Sequence, residues 1–132
     1  MLNALALFFL SVVHSTSSPT LTYEAAYSKA AQEEKILLVV VGAEWCAACE
    51  KLKSNTLDPM QKSGKLDCVV MATVDKDAQP ELAKQVMSGS TLPQLVAFKQ
   101  TDAGWKRFSL AGNQSEGRVQ ELIEVAAEAG TK

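Results

Sequence analysis

"ILLVVVGAEWCAAC", Ile36 to Cys49, runs from an unbroken apolar stretch through a glycine turn to two cysteines three apart. The apolar part, Ile36 to Val41, shows no alternation and is rich in β-branched residues. Its length and composition predict a strand buried on both faces, as in a parallel sheet. Gly42 to Glu44 reads as the turn that follows, and a helix is expected to open near Cys46. The first N–H groups of a helix have no internal partner and carry about half a positive charge. A thiolate placed there is stabilised, and thiolate is the form that attacks disulfides. Cys49 lies one helical turn along, on the same side. The spacing therefore divides the labour. Cys46, expected to be open to solvent, attacks a disulfide; Cys49, expected to be less exposed, resolves the mixed disulfide and leaves Cys46–Cys49 oxidised.

Outward from this stretch, Tyr23 to Lys35 predicts a helix, with Thr22 as N-cap, Glu24 in the first turn, and alanines and tyrosines along one side. After Cys46 the helix is expected to run to about Thr56 and to stop before Asp58-Pro59. "MQKSGK" reads as a short helical turn ended by Gly64, and Cys68 to Val74 as a second buried strand. Glu81 to Met87 predicts a helix, with Pro80 suited to its first turn. Gln94 to Lys99 and Trp105 to Leu110 read as strands joined in a hairpin by "QTDAG". Ser115 caps a last helix to about Ala129, whose apolar stripe is Val119, Leu122, Ile123 and Ala126. The order α-β-α-β-α-β-β-α predicts an α/β fold. Strands separated by helices imply parallel pairing, the hairpin adds an antiparallel edge, and helices cover both faces of a central mixed sheet.

The chain has 132 residues, enough for one core; at 47% hydrophobic and 21% charged it is neither disordered nor fibrous. A net charge of −2 without a basic patch argues against a nucleic-acid partner. Residues 1–17 form a separate region. "MLNALALFFLSVV" is too short to span a bilayer, which takes roughly 20 residues, and suits the apolar part of a secretory signal peptide. Val13 with Ser15, or Ser15 with Ser17, offers small residues for cleavage. No Lys or Arg precedes the apolar run, so an uncleaved hydrophobic leader that packs on or anchors the domain is the other reading. Export to the periplasm or another extracytoplasmic space would place the thiols where disulfides persist; without a signal the chain would be cytoplasmic.

"AEWCAAC" followed by "TLPQLVAF" resembles the thioredoxin superfamily, over a domain covering residues 20–132. "VDKDAQPELAKQV" and "LAGNQSEGRVQELI" are similar to its third helix and its terminal Gly-turn-helix. Within it, "AAYSKAAQEEKILLVVVGAEWCAACEKLKSNTL" is closest to exported disulfide-reductase modules such as the periplasmic C-terminal domain of DsbD. The resemblance implies a thioredoxin fold and a protein-disulfide reductase. It assigns Cys46 as nucleophile, Cys49 as resolving cysteine, Trp45 as flanking tryptophan and Pro93 as a cis-proline. With Thr91 and Leu92, Pro93 would dock an extended substrate strand by main-chain pairing. No bound cofactor is implied beyond the redox-active pair. Protein disulfides are the implied substrates of a monomer, with electrons from a partner thiol protein such as a membrane reductase. The sequence departs from thioredoxins proper at Val40, where they carry a buried Asp, and at Met71, where a Lys accompanies it. A proton acceptor for Cys49 would then be water or Glu44. Glu50 follows the motif where Lys is common, and a carboxylate one turn from Cys46 would modestly raise its pKa.

Other readings of the same residues are weaker. A zinc site needs about four ligands, and the only histidine, His14, lies in the leader, which also removes Cys-His catalysis from the domain. A disulfide closing so short a loop restrains the unfolded chain little, so stability alone is a poor reason for it. Cys68, at the start of a buried strand, reads as an inert core thiol. "DKD", Asp75 to Asp77, reads as a solvated loop. The rival function is a thioredoxin-like module that binds or chaperones peptides without turnover.

Overall fold

The computed structural model describes residues 21–130. The leader at residues 1–17 lies outside them. The elements are α1 (Tyr23–Glu33), β1 (Ile36–Gly42), α2 (Ala47–Leu52), a π-helical turn (Lys53–Leu57), α3 (Asp58–Lys62), β2 (Val69–Asp75), α4 (Pro80–Val86), β3 (Gln94–Thr101), β4 (Gly104–Ala111) and α5 (Glu116–Ala129). The strands form one mixed sheet in the order β2-β1-β3-β4.

β1 is central because both of its faces are covered. Alternate residues point to opposite faces. Ile36 and Leu38 join one core with Leu52, Met60 and the α5 stripe Val119, Leu122, Ile123 and Ala126. Leu37, Val39 and Val41 join the other, with Ala26 and Ala30 of α1 and Ala83 and Val86 of α4. Two such faces leave no room for a polar residue, which explains the unbroken apolar run. The alanines of α1, spaced by four, let that helix lie close against the sheet. Thr22 Oγ1 caps α1 by accepting from Ala25 N–H at 3.2 Å, and Ser115 Oγ caps α5 by accepting from Arg118 N–H at 3.3 Å.

The sheet departs from expectation in the direction of one strand. β1 and β2 are parallel, but β3 runs antiparallel to β1, with Gln94 opposite Val41 and Phe98 opposite Leu37. The helix between β2 and β3 does not carry the chain back along the sheet. Its seven residues rise about 10 Å, whereas the seven residues of β1 extend about 23 Å. The chain re-enters the sheet at the end where it left, Asp75 standing opposite Gly42 and Gln94 opposite Val41.

The helix after Cys46 also differs from its expected end. It does not stop before Asp58-Pro59 but continues into α3 through the π turn, where Asp58 N–H donates to Lys53 O, five residues back. A proline ring in a helix collides with the carbonyl four residues before it. A turn widened by one residue moves that carbonyl aside, and Pro59 then falls in the first turn of α3.

Candidate active site

The site begins where β1 ends. Gly42 leads into the turn, Cys46 N–H donates to Ala43 O at 3.2 Å, and Cys46 becomes the N-cap of α2. An N-cap supplies an acceptor to an unpaired helical N–H, a role usually filled by Ser, Thr, Asp or Asn. Here the acceptor is sulfur: Cys49 N–H donates to Cys46 Sγ at 3.2 Å. Cys46 and Cys49 are joined in a disulfide, with Cα atoms 5.3 Å apart. Main-chain geometry thus holds the sulfur of Cys46 at the positive end of a helix, where reduction would leave a stabilised thiolate.

The expected order of exposure is reversed. Cys46 is buried at 6% exposure, and Cys49 is half-buried. In the closed disulfide, the Cys46 sulfur is turned back over its own first helical turn by Cys49 N–H and by the bond to Cys49. Cys49 in turn packs against the end of β1. A Cβ built on Gly42 would lie 3.3 Å from Cys49 Sγ and 3.4 Å from its Cβ, so the absence of a side chain at residue 42 makes room for the second cysteine.

Trp45 is 70% exposed beside this pair. It is held by Asp77, whose Oδ2 accepts from the indole Nε1–H at 2.6 Å. Asp77 is itself fixed by Asp75, whose Oδ1 accepts from Asp77 N–H at 2.8 Å and Ala78 N–H at 3.0 Å. The loop read as merely solvated therefore supports the rim of the site. Lys76 N–H donates to Gly42 O at 2.8 Å and ties the same loop to the end of β1.

The segment before β3 forms the other wall. Because Gln94 pairs with Val41, Pro93 falls level with Gly42. The Leu92–Pro93 peptide bond is cis. Pro93 is buried, Leu92 half-buried and Thr91 exposed. Gln94, 1% exposed, clamps the loop: its Oε1 accepts from Ser88 N–H at 3.0 Å and its Nε2 donates to Ser88 O at 2.8 Å. Gly112 N–H donates to Pro93 O at 2.7 Å. Asp77, Gln94 and Gly112 were not singled out by sequence reasoning. Gly112 carried a signal in "LAGNQ", since its φ of 85° suits glycine; the partners of Asp77 and Gln94 come from the fold.

Behind the cysteines, Val40 is half-buried between Thr73 and Leu95. Met71 is half-buried and its Sδ accepts from Gln61 Nε2 at 3.4 Å. Glu44 and Glu50 are exposed. Cys68 is not a core thiol. It is free and exposed, because β2 begins one residue later, at Val69, and the turn before it faces water. Among the described residues no three Cys, His, Asp or Glu side chains gather as a metal site would need.

The thioredoxin family model matches residues 18–125. Solved structures similar to this chain include a thioredoxin from Thermus thermophilus, at 23% identity and TM-score 0.69, over 83% of this chain and 87% of that one. A Trichomonas vaginalis thioredoxin matches at 24% identity and TM-score 0.62, over 80% and 92%. A Fasciola hepatica thioredoxin matches at 25% identity and TM-score 0.58, over 78% and 93%. No curated protein shows a significant sequence match.

Proposed function

The chain belongs to the thioredoxin family, and from that membership we propose that it is a thiol–disulfide oxidoreductase working as a protein-disulfide reductase. The observation that carries the proposal is the disulfide whose first sulfur caps a helix. In the reduced protein, Cys46 thiolate attacks one sulfur of a client disulfide. A mixed disulfide forms, and the client's other sulfur leaves as thiolate and takes a proton from water. Cys49 then loses its proton and attacks Cys46 Sγ. The Cys46–Cys49 bond closes and the client departs as a dithiol, with two electrons transferred.

Each supporting residue has a physical part in this scheme. Trp45, held by Asp77, forms a fixed apolar rim. Thr91 and Leu92 offer backbone to an extended client strand. No carboxylate stands at residue 40, so the proton of Cys49 passes to water or Glu44, both reached through solvent. The pair needs no bound cofactor; a thiol partner, such as a membrane reductase, would return the electrons to a monomer. The apolar run in residues 1–17 is the ground for placing this chemistry in the periplasm or another extracytoplasmic space.

The test is reduction of insulin by dithiothreitol with wild-type and Cys46→Ser protein. Turnover above background only in the wild type is expected. Cys49→Ser should accumulate a mixed disulfide through Cys46, visible as added mass. Equal background rates for wild type and Cys46→Ser would refute catalysis and leave a peptide-binding module. The reduction potential decides direction: about −270 mV marks a reductase and about −120 mV an oxidant.

A further inference from the structure

A cleft of about 550 Å³ opens beside the redox site, between the β2–α4 loop, α4 and the loop that leads to Leu92. It shares residues with both walls of that site. Asp77 lines it and holds Trp45, while Ser90 lines it one residue before Thr91. Met87, the C-terminal cap of α4, gives it an apolar side, with Ala83 buried beneath. Its charge comes from Lys76, half-buried and anchored through its backbone to Gly42, and from exposed Lys84. Neither lysine takes part in an ion pair among the described residues. Asp77, the one carboxylate of the lining, already accepts from the Trp45 indole. On the cysteine side, Glu44 and Glu50 are exposed. Lys51 is exposed beside Glu50, so the charge contrast lies in the cleft itself, where two lysines face one carboxylate.

We infer that this cleft selects client segments that carry a carboxylate side chain a few residues from the disulfide. The inference rests on the oxidoreductase reading and names the client class. An acidic side chain in the cleft meets Lys76 and Lys84 while its methylenes lie on Met87. The excess of lysine in the lining therefore favours an acidic partner over a neutral or basic one. An exposed or half-buried ion pair is worth about 1.4- to 5-fold in affinity, and two lysines contributing about 1.7- to 3.2-fold each within that range give about three- to tenfold.

Binding is measured on the full chain, oxidised, by fluorescence anisotropy of labelled peptides. The peptides are extended segments in which serine replaces the client cysteine, flanked on both sides by Glu, Gln or Lys. The Glu peptide should bind about three- to tenfold tighter than the Gln peptide, and the Lys peptide weakest. The preference should shrink to within about twofold at high salt, where the Debye length falls to about 3 Å, and also in the doubly substituted Lys76→Gln/Lys84→Gln protein. Equal Kd values, no measurable binding of any peptide, or a preference that survives the double substitution would each overturn the inference. These peptides cannot be reduced, so the result does not depend on catalysis. The oxidoreductase reading stands or falls separately, on reduction of an uncharged small disulfide by the wild-type chain.

Discussion

Replacing Gln94 with Met tests what holds the loop that carries Leu92 and Pro93. Gln94 is 1% exposed, and its amide makes two bonds to the backbone of Ser88, at 3.0 and 2.8 Å. Methionine has similar length and keeps the apolar packing, but it provides no strong donor or acceptor. Each intramolecular hydrogen bond contributes about 0.5–1.5 kcal/mol net. Ser88 is exposed, so water can reach its freed N–H and C=O, and no full desolvation penalty applies. The expected loss is therefore about 1–3 kcal/mol. Urea unfolding of the oxidised protein should show a lower midpoint with unchanged slope, because the surface exposed on unfolding is the same. Amide exchange at Ser88 should also quicken. Gln94→Glu, which keeps an acceptor but places a charge in the same buried position, should cost at least as much at neutral pH. A loss below about 0.5 kcal/mol for Gln94→Met, with unchanged exchange at Ser88, would show that the loop is held by something other than this amide.

Gly42→Ala should push on Cys49, since the new methyl would sit 3.3 Å from its sulfur. A cost of about 1 kcal/mol is expected in the oxidised form, where the sulfur cannot swing away, and less in the reduced form, so the reduction potential should rise by up to about 20 mV in glutathione equilibration. An unchanged potential would mean that both forms accommodate the methyl equally. Cys68 should react with a maleimide in the native, oxidised protein without denaturant, giving one adduct by mass, because it is free and exposed. Tyr23 has a pKa above its ordinary value, through partial burial first and then the nearby Tyr27 and Glu24. The unfolded chain therefore loses this proton at lower pH than the folded one. The stabilising difference is complete below pH of about 10 and is lost as pH rises through the folded value. Tyr23→Phe should flatten the fall in unfolding free energy above about pH 10; an identical fall would count against this origin.

The parts of the molecule that depend on neighbouring residues were legible in the sequence. β1 was visible as an apolar run and α5 as a stripe spaced by three and four. The caps Thr22 and Ser115 and the cysteine pair at a helix start were visible too. What escaped depends on distance or on geometry between elements. The antiparallel entry of β3 is set by its pairing with β1, a contact between elements that no local pattern records. The π turn shows that a proline's effect depends on whether the preceding turn can widen. Cys68 was misjudged because a one-residue shift in where β2 begins moves it from core to surface. The exposure of the cysteines was misordered because burial in the closed disulfide depends on where Gly42 leaves space. Trp45 and Asp77 are 32 residues apart in the chain, and nothing local marks them as partners.

The bond from Gly112 N–H to Pro93 O has a consequence for any guest polypeptide that lies along this wall. Residue 93 has no amide hydrogen to give, and its oxygen is already in use inside the protein. In the docking proposed above, the guest would therefore pair upstream through the main chain of Leu92. Since neighbouring side chains of an extended guest face opposite ways, that restriction fixes parity: which of its residues turn inward toward the sulfurs and which turn away is settled before any side chain is read.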